Sequence, residues 1–371
     1  MKICHISDSH LGAGQNHPRR GRSGLKERQE DVVHCFQEAI GQIIRIRPDL
    51  CIHSGDLFDS VRPINRIIAV AAEQLYMLAQ QASIPTVIIS GNHDAPNQPH
   101  LGCALEILSH IDNLHVACAS RMQEFNIGRA RICALPHCLT STILREQLTR
   151  CQPEKTVRHN ILVMHGVAAG MPEFSMADLG EQELPTEIMK QFDYTALGHY
   201  HNYRQVGERA WYAGSTERLS LAEKDVAKGF CEVDLEPFGM TFHSVGAREM
   251  VDLPEIDVAG KRGDQLAEII RDKVRQVGAA DKTVRITITG VTEETLKTVP
   301  AAAIADLKQE SYSLNIRFVK EPGDTTSVAI GRGAIGQLDI GFVEYLSTVP
   351  LDGFDRERLK REAIKYLAED G

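Results

Sequence analysis

Leu50-Cys51-Ile52-His53-Ser54-Gly55-Asp56-Leu57-Phe58-Asp59 reads as a short apolar strand that runs directly into a glycine and two carboxylates. The same pattern stands on either side of it. Upstream, the strand-like residues 2–7 stop at Asp8-Ser9-His10. Downstream, residues 86–90, opened by Pro85, run into Gly91-Asn92-His93-Asp94. Helical patterns lie between. Val32, Val33, Phe36, Ile40, Ile43 and Ile44 recur at helical spacing over residues 30–47, where Pro48 ends the run. Ile67, Ile68, Ala71, Leu75 and Leu78 repeat the pattern over residues 64–82. Strands alternating with helices predict a layered α/β domain.

Further strands are expected at 130–135, 160–164, 194–197 and 211–213, and the second and third of these run into His165-Gly166 and Gly198-His199-Tyr200-His201. Residues 229–235 and 240–245 read as a hairpin around Glu236-Pro237-Phe238-Gly239, which makes the sheet mixed. The character changes near Met250. Leu266, Ile269, Ile270, Val274 and Val277 mark a helix, and strands at 283–289 and 313–320 flank a helix at 301–309. The expected organisation is therefore a first domain over 1–248, a smaller α/β domain over 249–324, a glycine-rich linker over 325–341 and a short helical tail over 342–371. Gly331-Arg332-Gly333-Ala334-Ile335-Gly336 has the G-x-G-x-x-G spacing of a dinucleotide site. No βαβ unit follows it and Pro350 interrupts the remainder, so it reads as linker.

Composition narrows the class. With 371 residues, 43% hydrophobic and 25% charged, the chain is globular and long enough for more than one domain. No apolar run approaches the roughly 18–20 residues of a membrane-spanning helix, and Met1–Asp8 turns polar too early for a signal peptide. Nine cysteines, an odd number with no C-x-x-C pair, argue against a disulfide framework and a thiolate zinc site. Cys4, Cys51 and Cys133 sit in apolar runs, as small hydrophobes do, and a reducing cytoplasm is the expected location. The net charge of −9 runs against a nucleic-acid surface, yet residues 17–28 carry Arg19, Arg20, Arg22, Lys26 and Arg28 against Glu27 alone.

Five of the strand ends named above deliver carboxylate, amide or imidazole groups. Sites in α/β sheets lie beyond the carboxyl ends of strands, so these scattered clusters are expected to converge. Oxygen and imidazole donors without thiolates suit manganese, iron, cobalt or zinc. The five clusters resemble the signature of the calcineurin-like metallophosphoesterases: D-x-H, G-D-x-x-D, G-N-H-[DE], a histidine before glycine, and G-H-x-H. The resemblance implies a layered sandwich with mixed sheets. It also implies one divalent ion held by Asp8, His10, Asp56 and His201, and a second by Asp56, Asn92, His165 and His199, with Asp56 bridging. Such a bridge spans ions roughly 3.5–4 Å apart. It further implies that His93 is not a ligand but faces the scissile phosphate, with Asp59 orienting and charging it.

Within that superfamily the chain is most similar to the SbcD-type nucleases of DNA double-strand-break repair. The residues that carry the likeness are 5–12, Ser54–Pro63 and Tyr212-Ala213-Gly214-Ser215-Thr216-Glu217-Arg218. Archaeal and eukaryotic relatives have histidine where Asp59 stands, and Ser/Thr phosphatases continue with Arg-Gly where this chain has Ser60-Val61. The resemblance implies a two-metal DNA exonuclease and endonuclease, with manganese the first choice of ion. An enzyme of the same fold acting on a small phosphodiester or nucleotide is the alternative. The small domain is read as a cap. Arg19, Arg20, Arg22, Lys26 and Arg62 are the expected DNA-backbone contacts. A homodimer is expected, with Ile67, Ile68, Leu105 and Leu108 as candidate contacts. The tail carries Phe342, Tyr345 and Leu346 on one face and Leu359, Ala363, Tyr366 and Leu367 on another. It is expected to dock on an SbcC-type coiled-coil ATPase.

Overall fold

Lys2–Ile6 forms the first strand, β1, and every one of its residues after Lys2 is buried. A strand covered on both faces has no polar side to show, which is why Ile3 and Cys4 follow each other without alternation. In the computed structural model residues 1–96, 101–171 and 182–320 are described. The linker expected over 325–341 and the tail expected over 342–371 lie outside the described residues.

In chain order β1 is followed by α1 (Glu27–Ile46), β2 (Leu50–His53), α2 (Asn65–Leu75), β3 (Thr86–Ile89), α3 (Leu105–Leu108) and β4 (Leu114–Ala117). Then come β5 (Gln123–Ile127), β6 (Ala130–Leu135), α4 (Ser141–Arg150), β7 (His159–His165), β8 (Val167–Ala168), β9 (Glu183–Leu184) and α5 (Thr186–Met189). β10 (Tyr194–Gly198), β11 (Arg204–Gly207), β12 (Ala210–Tyr212), β13 (Gly229–Leu235) and β14 (Phe238–Ser244) complete the large sheets.

Two mixed sheets result. One has the order β14-β13-β1-β2-β3-β4, the other β11-β12-β10-β7-β6-β5. In the first, β1 to β4 are parallel and the β13–β14 hairpin joins antiparallel to β1. In the second, β12, β10, β7 and β6 are parallel, with β5 and β11 antiparallel at the edges. The period-2 alternation of strand side chains divides the core into layers. Ile3, Ile52, Val87 and Ile89 meet Ile132, Ile161, Val163 and Ala196 between the sheets. Cys4, Ile6, Cys51 and Ile88 face outward to Val32, Phe36, Ile40 and Ile43 of α1 and Ile67 and Leu75 of α2. Cys133, Leu162, Met164 and Leu197 face the other way, to Leu144 and Met189. The expected α/β sandwich is present.

The chain forms two compact units. Among the described residues, those within 1–252, with 278–284 and 310–313, make the first, and 253–277, 285–309 and 314–320 the second. Within the second, Ile256↔Ile288 and Asp257↔Thr289 pair in parallel. Helix α6 (Gly263–Val277) buries Leu266, Ala267, Ile270 and Val274 on one face, as its spacing predicts.

Several boundaries differ from the sequence reading. Helix α1 starts at Glu27, not residue 30, because the Gln29 side chain accepts from the Lys26 amide at 3.0 Å and caps the first turn. The run expected as one helix over 64–82 is α2 followed by a π-helical turn, Tyr76–Gln81. Strands β4, β5 and β11 were not expected. They are short, and the exposed alternate residues are Glu124 and Asn126 in β5 and Gln205 and Gly207 in β11. Ile67, Leu105 and Leu108 are buried in the core beside the first sheet, so these three are core residues rather than surfaces for a second copy, while Ile68 is partly buried against the same cluster. All nine cysteines are free and buried. No helix among the described residues is long and apolar enough to cross a membrane.

Candidate metal centre

Strands β1, β2 and β3 end on the same side of the first sheet because they run parallel, and β7 and β10 do the same in the second. Their carboxyl ends therefore deliver Asp8 and His10, Asp56, Asn92 and His93, His165, and His199 and His201 to one place. The first two loops are zipped together by Asp8 N–H to Gly55 O (3.0 Å), His10 N–H to Asp56 O (3.0 Å) and Leu11 N–H to Leu57 O (2.8 Å). Asp8, His10, Asp56 and His199 all hold positive φ (48°, 43°, 54° and 103°), a strained conformation for residues with a Cβ that such anchoring sustains. Gly91 is required for contact: a Cβ there would lie 2.1 Å from Asp56 Oδ1.

The side chains close on one another. Asp8, His10 and His201 each place a ligand atom within 4.8 Å of the others, and so do Asp8, Asp56 and His165, and His10, Asp56 and His93. Asn92 Oδ1 lies 2.9 Å from His165 Nε2 and 3.2 Å from His199 Nδ1. The His199 amide donates to both Asp8 oxygens, at 2.9 and 3.1 Å, which ties the end of β10 to that of β1. All seven expected ligands are brought together, with Asp56 in two of the three groups.

Proton positions test whether this set fits metal ions. His165 Nδ1 faces the Ser54 carbonyl at 2.9 Å, which only accepts, so Nδ1 carries the proton. The Nε2 lone pair then faces Asp56 Oδ2 at 3.3 Å and Asn92 Oδ1, two further acceptors. His201 repeats the arrangement. His201 Nδ1–H donates to Glu223 Oε1 at 3.2 Å, leaving the Nε2 lone pair 3.2 Å from His10 Nε2. His10 Nδ1 is buried without a hydrogen-bond partner. Lone pairs converging on carboxylate and amide oxygens repel unless a positive charge lies among them. Without a cation the charge is taken up by protons. Burial lowers the pKa of His165, but Asp56 more than offsets it and lifts the group to about 9. Burial likewise acts upward on Asp56, yet His165 and His10 hold its carboxyl well below the usual range. Oxygen and imidazole donors without thiolate complete a set that divalent ions fit.

His93 stands at the exposed edge of this cluster. Its amide donates to Asp56 Oδ1 at 2.8 Å, and its Nδ1 donates to the Asp59 main-chain carbonyl at 3.0 Å. The expected dyad thus takes a different form. The backbone of Asp59 orients the ring, while the Asp59 carboxylate turns to His10 Nδ1 at 3.5 Å.

Three supports were not assigned from sequence. Asp94 is fully buried and accepts from the amides of Leu57, Phe58 and Gly91. His5 bridges Tyr194 OH and Ser54 Oγ, each at 2.8 Å, and burial holds it neutral with a pKa of about 3. Glu223 backs His201. Burial would raise its pKa, but His201 and Lys228 bring the carboxyl to about 2. The only sequence signal for the last pair is Lys228 heading an apolar strand.

The basic residues divide. Arg20, Arg22 and Arg62 are exposed and Lys26 half-buried. Arg19 holds Glu27 at 2.8 Å and the carbonyls of Ser311 and Tyr312 at 2.9 Å each.

Residues 1–228 match the sequence model of the calcineurin-like phosphoesterases. The chain is 32% identical over 251 residues to the DNA double-strand break repair protein Mre11 of Methanococcus maripaludis, covering 63% of each chain. It is 25% identical over 391 residues to the Mre11 of Methanopyrus kandleri, covering 99% of this chain and 78% of that one. A component of the nuclease SbcCD of Staphylococcus epidermidis is 26% identical over 262 residues, 64% of this chain and 66% of its own. The chain spans less than two thirds of the length of the first of these relatives.

Proposed function

The chain belongs to the calcineurin-like phosphoesterase family, and on that premise we propose that it is a two-metal DNA nuclease of double-strand-break repair. The observation that carries the reading is the convergence of Asp8, His10, Asp56, His165 and His201 in overlapping metal-sized groups. The likeness to relatives named as a DNA break repair protein and as a nuclease supports DNA as the substrate. Asp8, His10, Asp56 and His201 would hold one ion, and Asp56, Asn92, His165 and His199 the other, with manganese the first candidate. Ions held there would polarise the phosphodiester and screen the charge that builds on it.

The chain's own groups do the rest. Asn92 contributes an oxygen without adding negative charge, so the site still accepts a phosphodiester. The Asp59 carbonyl keeps the His93 proton on Nδ1, which leaves Nε2 as the atom that, when protonated, stabilises the phosphate or protonates the leaving oxygen. The experiment compares manganese-dependent degradation of linear duplex DNA with hydrolysis of chromogenic phosphodiesters and cyclic nucleotides. Degradation of DNA is expected. Hydrolysis of the small esters alone would move the assignment to a small-molecule phosphodiesterase.

Exonuclease and endonuclease action, a homodimer, a capping role for 249–324, docking of 342–371 on an SbcC-type ATPase and a cytoplasmic location belong to the same proposal. Apolar residues open to a second copy are Ile64, Tyr76, Met77 and Ile107, which are exposed where Ile67, Leu105 and Leu108 are not. For DNA, Arg20, Arg22 and Arg62 are the better candidates and Lys26 a lesser one, because Arg19 already holds the loop to Glu27. Arg20→Ala with Arg22→Ala is expected to weaken duplex binding and to flatten the dependence of log K on log salt by about two units. An unchanged slope in a salt titration would remove both from the interface.

A further inference from the structure

Glu223 and Lys228 meet in a buried ion pair of 2.5 Å, and both also bind His201. Glu223 Oε1 accepts from His201 Nδ1 at 3.2 Å. Lys228 Nζ donates to the His201 carbonyl at 2.8 Å and to Ser215 Oγ at 2.9 Å, and the Ser215 amide donates to that same carbonyl at 3.0 Å. The carboxylate is itself fixed, since the Leu219 amide and Ser220 Oγ each donate to it at 3.2 Å. We propose that Glu223 and Lys228 are positioning residues that clamp the ring and backbone of His201 and make the ion at Asp8, His10 and His201 the tighter of the two.

His165 and His201, one from each ion's set, differ in what backs them. His165 leans on a neutral carbonyl and His201 on a carboxylate. An anionic partner on Nδ1 makes Nε2 a stronger electron donor and fixes the ring's direction, and such outer partners commonly set metal affinity. Packing alone does not account for the pair. A buried ion pair gives little net stability over apolar residues of the same size, whereas this one sends a hydrogen bond to each end of a single residue. Lys228 is completely buried, so its charge can be compensated only inside this network.

The inference rests on the metal-centre reading above, and its test reads metal affinity rather than DNA cleavage. Apo full-length chain would be titrated with manganese, counting free ion by electron paramagnetic resonance. Wild type is expected to bind two ions with distinct affinities. Glu223→Gln, nearly isosteric, should weaken the tighter ion by about 10–100-fold and leave the weaker one unchanged. Lys228→Met should weaken the same ion. Unchanged affinities in Glu223→Gln, or an equal fall in both, would overturn the clamp, even with a lowered melting temperature, since a merely structural role predicts that pattern. Failure of wild type to bind manganese at all would instead overturn the metal-centre reading.

Discussion

His93→Leu is expected to keep both manganese ions and to lose about 10²–10⁴-fold in the rate of phosphodiester hydrolysis, the range for removing a positioned acid. The separation follows from which parts of His93 touch the centre. Its amide, not its ring, holds Asp56 Oδ1 at 2.8 Å, and leucine retains that amide. The ring is exposed, packs edge-on against His10 with centroids 4.7 Å apart, and makes its hydrogen bond to the Asp59 carbonyl. Leucine occupies similar volume without a donor at Nε2. Hydrolysis by the variant within a few-fold of wild type, at confirmed occupancy of two ions, would remove His93 from the chemistry. Loss of an ion would make it a ligand, an alternative its closeness to His10 and Asp56 leaves available to measurement.

The candidate ligand set was legible because each member lies at or just beyond the end of a strand. A carboxylate or imidazole placed at the end of β1, β2, β3, β7 or β10 has its position fixed by sheet geometry, and apolar runs mark those ends without any three-dimensional knowledge. Residues whose role depends on chain closure left no such mark. Glu223 lies in a short turn, 22 residues past His201, and only the fold brings them together. The Asp59–His93 contact was legible as a pair of residues but not as chemistry, because a main-chain carbonyl is present at every position and no residue type reports its direction. Strands β5 and β11 escaped for a related reason. Edge strands need few apolar residues, and Arg204-Gln205-Val206-Gly207 has the composition of a loop. Ile67, Leu105 and Leu108 show the converse limit. An apolar residue on a helix looks the same whether it faces its own sheet or a partner, and these face the sheet.

Asp94→Ala is expected to destabilise the first unit by about 3–9 kcal/mol, at about 1–3 kcal/mol for each buried donor left without a partner. Three donors are affected. Asp94 Oδ2 accepts from the Leu57 and Gly91 amides at 3.1 and 3.0 Å, and Oδ1 from Phe58 at 2.9 Å. These amides flank Asp56 on one side and precede Asn92 on the other, so one buried carboxylate fixes the spacing of the loops after β2 and β3. Losing it should therefore lower manganese affinity as well as the melting temperature. Asp94→Asn separates the contributions. An amide offers one acceptor oxygen, enough for two of the three donors, and turns an NH₂ toward the third. It should fall between wild type and alanine in calorimetric melting. An alanine variant within about 1 kcal/mol of wild type would mean that water or a shifted loop satisfies these amides, and that the spacing of Asp56 and Asn92 is held instead by the zipper between the loops after β1 and β2.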